Sequence, residues 1–319
     1  MSGPRASIVV PTRDNAAVLE QTLRSLLADS SRLERELVVV DNGSRDGTSG
    51  IVDDLAATAS FPVRLVHEPV AGSSQARNAG VAAARGELLL FADDDVVAAD
   101  GWADALAAPF AEPGVGLVAG RILPLWPRTP PPWLAGPHSE RLTLADFGDE
   151  PRALRPDEWP VTANLAVRAS LLAGGEPPFP PSLGNHGSRS FGQEDYHLVR
   201  RVRATHEARY APLAVVHHRI SAERMTLEWM RGTFFDMGVG LALAERHERQ
   251  PFPSLPRRLV RAVRVCRGLA RRRRANARLE RSGPETWEEL YGCMWAGKHV
   301  EMLLGRFPRA RDLVRSALV

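Results

Sequence analysis

Three consecutive carboxylates, Asp93, Asp94 and Asp95, close the apolar run Leu88-Leu89-Leu90-Phe91-Ala92. A strand interior does not hold unpaired negative charge, so the triplet belongs at the strand's carboxyl end, facing water, a cation or a ligand. One residue separates Asp93 from Asp95, and in an extended chain that spacing puts both side chains on one side. Two carboxylates so placed make a hard-oxygen site for Mn²⁺ or Mg²⁺, with room for water and for phosphate oxygens. Taken alone, the triplet reads equally well as an acidic turn that opens a helix.

The elements that must position these carboxylates alternate. Ala6 to Val10 is a strand ending at Pro11-Thr12, followed by helical spacing through Val18, Leu19, Leu23, Leu26 and Leu27. Glu36 to Val40 is a second strand, ending at Asp41-Asn42-Gly43-Ser44, and a helical pattern follows through Ile51, Val52 and Leu55. Pro62 to Val66 and the helix Ser74 to Ala84 lead back to the strand that carries the acidic triplet. Strand–helix alternation predicts an α/β fold, a Rossmann-like and mostly parallel sheet flanked by helices. Ligands of such sheets bind beyond the carboxyl ends of the strands. Pro11-Thr12, Asp41-Asn42 and Asp93-Asp94-Asp95 therefore converge on one rim as a nucleotide pocket. Ser44 and Asp46 also suit a helix cap, and Gly72-Ser73-Ser74 could offer backbone donors to phosphate.

Four stretches then carry a resemblance: Ser7 to Thr12, Val39 to Thr48, Ala76 to Gly80 and Phe91 to Asp95. Together and in this order they resemble the motifs of family 2 glycosyltransferases, which are inverting, nucleotide-sugar-dependent enzymes of the GT-A fold. The resemblance implies that Pro11, Thr12, Asp41 and Arg77 surround the donor nucleoside, with Asn42, Ser44, Asp93 and Asp94 completing the donor site. It makes Asp93 and Asp95 the pair that holds a metal and the donor pyrophosphate. The run Gln193-Glu194-Asp195 resembles the family's Glu-Asp motif, which implies a catalytic base at Asp195, with Glu194 as second choice. Helix-dipole compensation is the other reading of those two acids. Of the pair His217-His218, which ends the apparent edge strand from Tyr210, the resemblance selects His218 as a further metal ligand. It also implies an acceptor contact at Asn164. Trp133, in the proline- and tryptophan-rich loop from Pro124 to Pro137, either stacks on a sugar or covers apolar surface.

The expected organisation is a glycosyltransferase domain over residues 1–222, with a donor half at 1–120 and an acceptor half at 121–222. A helical C-terminal region over residues 223–319 completes the chain. The stretch from Pro177 to Arg189 has the composition of a mobile loop. Leu255 to Arg274 reads as a basic amphipathic helix with no acid, suited either to an anionic membrane surface or to packing its apolar side on the protein. The formal charge is only +3 and no nucleic-acid reader motif is present, so nucleic acid is not an expected partner. Two cysteines, Cys266 and Cys293, make no metal or redox motif and suit a reducing compartment. With no leader ahead of Ser7 and no apolar run of spanning length, a cytoplasmic protein is expected.

The predicted activity is inverting, metal-dependent sugar transfer from a nucleotide donor to a hydroxyl acceptor. UDP is the favoured carrier, with GDP and dTDP as alternatives. The rival readings are a nucleotidyltransferase and a catalytically degenerate binding member. The first lacks a glycine-rich phosphate loop after the first strand, and intact acidic motifs argue against the second.

Overall fold

In the computed structural model of the 319-residue chain, the described residues are 5–134, 139–185, 191–276 and 284–319. The ends of the Pro124–Pro137 and Pro177–Arg189 stretches lie outside them. The chain divides into two compact units. Unit 1 comprises Met1–Leu125, Thr143–Pro181 and Glu194–Arg219, and unit 2 comprises Trp126–Leu142, Ser182–Gln193 and Ile220–Val319. No boundary drawn once along the sequence captures this division, because two excursions, 126–142 and 182–193, group with the C-terminal helices.

Unit 1 runs β1 (Ala6–Thr12), α1 (Ala16–Ala28), β2 (Arg35–Asp41), α2 (Thr48–Ala56), β3 (Val63–His67), α3 (Ser73–Ala83) and β4 (Leu88–Ala92). It continues through β5 (Val96–Ala98), α4 (Trp102–Ala107), β6 (Val115–Leu125), β7 (Arg152–Ala153), β8 (Asn164–Arg168), α5 (Glu194–Arg203) and β9 (Glu207–Arg219). The sheet order is β3-β2-β1-β4-β8-β6-β9-β5, with β7 also on β9. The first four strands are mutually parallel. β8 enters antiparallel between β4 and β6, and β6 and β9 are again parallel.

Alternation along each strand feeds two cores, one on each face of the sheet. Ile8, Val10, Leu37, Val39 and Leu90 pack with Leu19 and Leu23 of α1 on one face. Val9, Val38, Val40, Leu89 and Phe91 pack with Ala76 of α3 and with Leu198 and Val202 of α5 on the other. The helix that carries Arg77 sits very close to the sheet: a Cβ on Gly80 would lie 2.4 Å from Val9 Cγ1.

β9 is not the edge strand its composition suggests. It pairs with β6, β5 and β7. Pro212 is accommodated where the β6–β9 register slips between Ala211 and Val215, so no ladder bond is demanded of a residue that has no N–H.

Unit 2 holds α6 (Leu227–His247), α7 (Leu255–Asn276), α8 (Pro284–Leu304) and α9 (Pro308–Leu318). Thr226 caps α6, its hydroxyl accepting from Trp229 N–H at 3.2 Å. Buried carboxylates tie the helices together: Asp236 pairs with Arg315 and Glu289 with Arg231. No helix among the described residues is long and apolar enough to cross a membrane.

Candidate active site

The acidic triplet follows β4 directly, but Asp94 and Asp95 form a turn rather than continuing the strand. Alternation along an extended chain is therefore not what orients them. Each carboxylate meets a different partner. Asp93 Oδ1 accepts from Arg77 Nη2 at 3.0 Å. Asp94 Oδ2 accepts from the Thr12 hydroxyl at 2.6 Å, and its carbonyl accepts from Thr22 at 2.8 Å. Asp95 Oδ2 lies 3.1 Å from His218 Nε2.

Burial followed by the charge of Asp95 pushes Asp94 up to about 7, against hydrogen bonds from Thr12 and Asn15. Asp93 is also raised, by burial first; the Arg77 charge opposes the shift, and Asp95 and Asp195 add to it.

Arg77 joins this rim to the start of α5. Its Nη1 donates to Glu194 Oε1 at 3.1 Å, and the Ser73 hydroxyl donates to the same oxygen at 2.9 Å. Although burial disfavours its charge, Asp195, Asp93 and Glu194 together hold the guanidinium more firmly protonated than usual. Glu194 is buried, and burial plus the Asp195 charge raises it to about 7 despite Arg77. Glu194 Oε2 is buried without a hydrogen-bond partner.

Asp195 is half-buried and held by one residue: Thr162 donates its N–H to Oδ2 at 3.1 Å and its hydroxyl to Oδ1 at 3.0 Å. Both acids stand in the first turn of α5, where the helix dipole also favours them.

At the far side of the rim, Asp41 is the last residue of β2. Its Oδ1 accepts from Ser44 N–H at 2.8 Å, and its Oδ2 lies 3.3 Å from His67 Nδ1. Ser44 does not cap α2; its hydroxyl accepts from Asp14 N–H at 3.0 Å. Asp46 takes the role of local anchor, accepting from Thr48 N–H and from the Thr48 hydroxyl.

The structure commits several of the expected contact residues to other partners. Asn42 is no free donor-site contact: its Nδ2 donates to Glu68 O and Val70 O, and its Oδ1 accepts from Gly72 N–H. It shapes the loop that leads into α3. Asn164 is 1% exposed; its amide donates to Arg121 O and Ala214 O and accepts from Trp102 Nε1, which leaves nothing for an acceptor sugar. Trp133 is 7% exposed within unit 2, so its ring covers apolar surface rather than offering a stacking face. Pro11 and Thr12 are the last two residues of β1, at its carboxyl end, and the Thr12 hydroxyl donates to Asp94 Oδ2.

Thr162, His67 and the side chain of Ser73, a residue singled out only for its backbone N–H, were missed. Each is an ordinary residue whose partner lies 26 to 121 positions away, so no local motif marks it.

The donor set can be tested against a divalent cation. Neighbouring oxygen or nitrogen ligands of Mg²⁺ or Mn²⁺, each at about 2.1 Å, stand about 3 Å from one another. The 3.1 Å between Asp95 Oδ2 and His218 Nε2 matches that spacing. Arg77 occupies only one oxygen of Asp93. The chemistry of two carboxylates and one imidazole suits a hard-to-borderline ion, but only Asp95 and His218 stand at ligand spacing; the ligand atoms of Asp93, Asp95 and His218 do not all lie within 4.8 Å of one another. His217 is not part of this contact; His218 is the histidine paired in register with Val96.

Residues 7–139 match the model of Glycosyl transferase family 2. The pre-mycofactocin glycosyltransferase of Mycobacterium tuberculosis is 28% identical over 260 residues, covering 79% of this chain and 51% of that protein. The chain thus spans about half the length of that curated relative. A mannosyltransferase of Pyrobaculum calidifontis, solved with GDP-Man and Mn²⁺, superposes with a TM-score of 0.56 at 19% identity, over 99% of this chain and 80% of that one. Glucosyl-3-phosphoglycerate synthase of Mycobacterium tuberculosis, solved with Mn²⁺, UDP-Glc and phosphoglyceric acid, gives 0.51 at 21% identity, over 78% and 81%. Residues 7–139, which carry the motif-bearing strands, are thus similar to family 2 glycosyltransferases, and the sheet built on them has a GT-A-like fold.

Proposed function

We propose that the chain transfers a sugar from a nucleoside-diphosphate donor to a hydroxyl acceptor with inversion at the anomeric carbon, in a metal-dependent reaction. One observation carries the reading. Asp93, Glu194 and Asp195 gather around Arg77, with Asp95 beside His218, so carboxyl groups outnumber the cations on this rim among the described residues. A diphosphate is repelled from such a site unless a divalent cation offsets the carboxylates. Asp93, Asp95 and His218 are the residues that would hold it. When bound, such an ion supplies Lewis-acid neutralisation of the charge that develops on the leaving diphosphate.

The chain's own residues do the rest. Asp41, at the end of β2, offers a carboxylate acceptor to an N–H of the nucleobase, which suits uracil best and admits guanine or thymine. Arg77 fixes Asp93 and Glu194 against each other. Asp195 accepts the acceptor's hydroxyl proton as that oxygen attacks the anomeric carbon. The bond from that carbon to the phosphate oxygen breaks on the opposite face, and the leaving diphosphate takes the electron pair. Two hydrogen bonds from Thr162 keep Asp195 aimed.

Incubation with nucleotide sugars separates the readings. Sugar release or transfer supports this one, pyrophosphate chemistry a nucleotidyltransferase, and no turnover a degenerate member. Asp95→Asn is expected to remove Mn²⁺-dependent donor binding in calorimetry while the fold persists. Unchanged affinity in that variant would remove Asp95 from the metal site.

A second observation bears on where transfer takes place. Leu255, Leu259, Val260 and Val263 of α7 are 40 to 60% exposed, on a helix carrying nine arginines and no acid. The reading this favours is peripheral attachment of α7 to an anionic membrane. Its test is co-sedimentation with anionic vesicles, which should weaken steeply as salt rises.

A further inference from the structure

Unit 2 contains a cleft lined by none of the residues of the acidic rim. It has a volume of about 440 Å³, and its walls include Arg261 and Arg264 of α7 and Trp295, Lys298 and His299 of α8. Glu245 is the only carboxylate in the lining, and it is paired with Lys298. Arg261 and Arg264 are exposed, and neither has an ion-pair partner among the described residues. Burial first, then the charges of Lys298 and Arg261, depresses His299, so this imidazole is neutral near neutral pH. Its Nδ1 is buried and lacks a hydrogen-bond partner. Three cations against one carboxylate leave the cleft with two uncompensated positive charges. Trp295 is 45% exposed, with Lys298 Nζ 5.5 Å from its ring centroid and the His299 ring tilted by only 25° from it.

Each feature is unfavourable in water alone. Like charges repel, an indole is left wet, and a buried ring nitrogen goes unsatisfied. A ligand with a phosphoryl group and a carbon skeleton relieves the first two. Guanidinium groups bind phosphate oxygens through paired, charge-assisted hydrogen bonds. The aromatic face covers the remainder.

We propose that this cleft is a binding site for a phosphate ester, with the phosphoryl group on Arg261 and Arg264 and the organic portion against Trp295. The ligand is either a soluble phosphate ester or the headgroup of an anionic phospholipid, since the same helix exposes Leu259, Val260 and Val263 beside the two arginines. Nothing in this site draws on the acidic rim of unit 1.

The test uses the full chain and two probes. Glycerol 3-phosphate is followed by calorimetry and by tryptophan fluorescence, and phosphatidylglycerol-containing vesicles are followed by flotation against phosphatidylcholine alone. The double variant Arg261→Gln/Arg264→Gln alters exposed side chains and should keep its melting temperature. A control pair, Arg267→Gln/Arg271→Gln, removes the same charge from α7 outside the cleft.

Binding of glycerol 3-phosphate that weakens about tenfold or more per arginine in the first pair, and little in the control, supports the site with a soluble ligand. Vesicle binding alone, lost in the first pair and kept in the control, supports it with a lipid headgroup. Binding that persists in the first pair, falls equally in both pairs, or is absent for both probes overturns the proposal. Nucleotide-sugar stabilisation is measured on the same samples. It is expected to survive in both pairs, and its absence from the wild type bears on the transferase reading alone.

Discussion

At the scale of single residues, Arg77 and Thr162 decide how the acids behave. Arg77 bridges Asp93 and Glu194, all three drawn from different elements. Removing one partner from such a cluster leaves buried charge uncompensated. Arg77→Met is therefore expected to destabilise the chain by about 3–5 kcal/mol in urea titration. A loss below 1 kcal/mol would mean that water already screens the cluster. The roles of the two acids in α5 are separable. Asparagine at Asp195 keeps the size and both contacts to Thr162, its oxygen accepting from the N–H and its amide donating to the hydroxyl oxygen, but takes no proton. Asp195→Asn should retain donor affinity and lose turnover by roughly 10²–10⁴-fold. Glu194→Gln should do less to the chemical step, because Glu194 faces Arg77 and Ser73. If Glu194→Gln is dead and Asp195→Asn active, the base is Glu194.

At the scale of elements, α3 must lie close to the sheet to bring Arg77 to the strand ends. Gly80 permits that approach. Gly80→Ala gains helix propensity of up to about 1 kcal/mol, but its methyl would meet Val9 Cγ1 at 2.4 Å inside a packed face. Overpacking costs about 1–3 kcal/mol, so a net loss of stability is expected in denaturant unfolding, with donor affinity falling as α3 shifts.

The opposite end of the strands carries a different network. Glu36 accepts from the Ser7 hydroxyl at 2.6 Å, from Arg85 N–H at 2.8 Å and from Arg64 Nε at 3.0 Å. Burial pushes this carboxyl up, but those bonds outweigh it and hold it below the ordinary value. A depressed folded pKa contributes stability that is complete above the unfolded value, about 4.3, and is lost as pH falls through the folded one. Wild-type stability should therefore fall more steeply below about pH 4 than that of Glu36→Gln. Parallel curves would deny Glu36 this role.

At the scale of the whole molecule, the chain is two units built on different principles. Unit 1 buries a sheet between two apolar faces, and unit 2 packs helices around paired charges such as Asp236–Arg315 and Glu301–Arg311. A donor that binds only the folded state raises apparent stability by mass action, by about 2.7 kcal/mol at a hundredfold excess over Kd. A panel of UDP-, GDP- and dTDP-sugars with Mn²⁺ should identify the carrier by its thermal shift, UDP being expected. Asp95→Asn should abolish that shift. A shift of the same size without metal would contradict the metal-dependent reading.

Sequence by itself determined the α/β class, the order of the first strands and helices, and the acidic rim at the end of β4. It could do so because these depend on short-range periodicity and on the rule that charge does not enter a strand interior. The carboxylates were legible for the same reason. Tertiary structure alone decided what each polar residue spends its hydrogen bonds on. Asn42 and Asn164 have the composition of ligand contacts, yet both amides are consumed inside the fold. Thr162 and Ser73 have no motif, yet they hold the two acids of α5. His217 and His218 are equivalent as letters; the β5–β9 register sets one of them beside Asp95. Pairings across 29 to 123 positions of chain are fixed by sheet order and register. Local pattern carries no record of either.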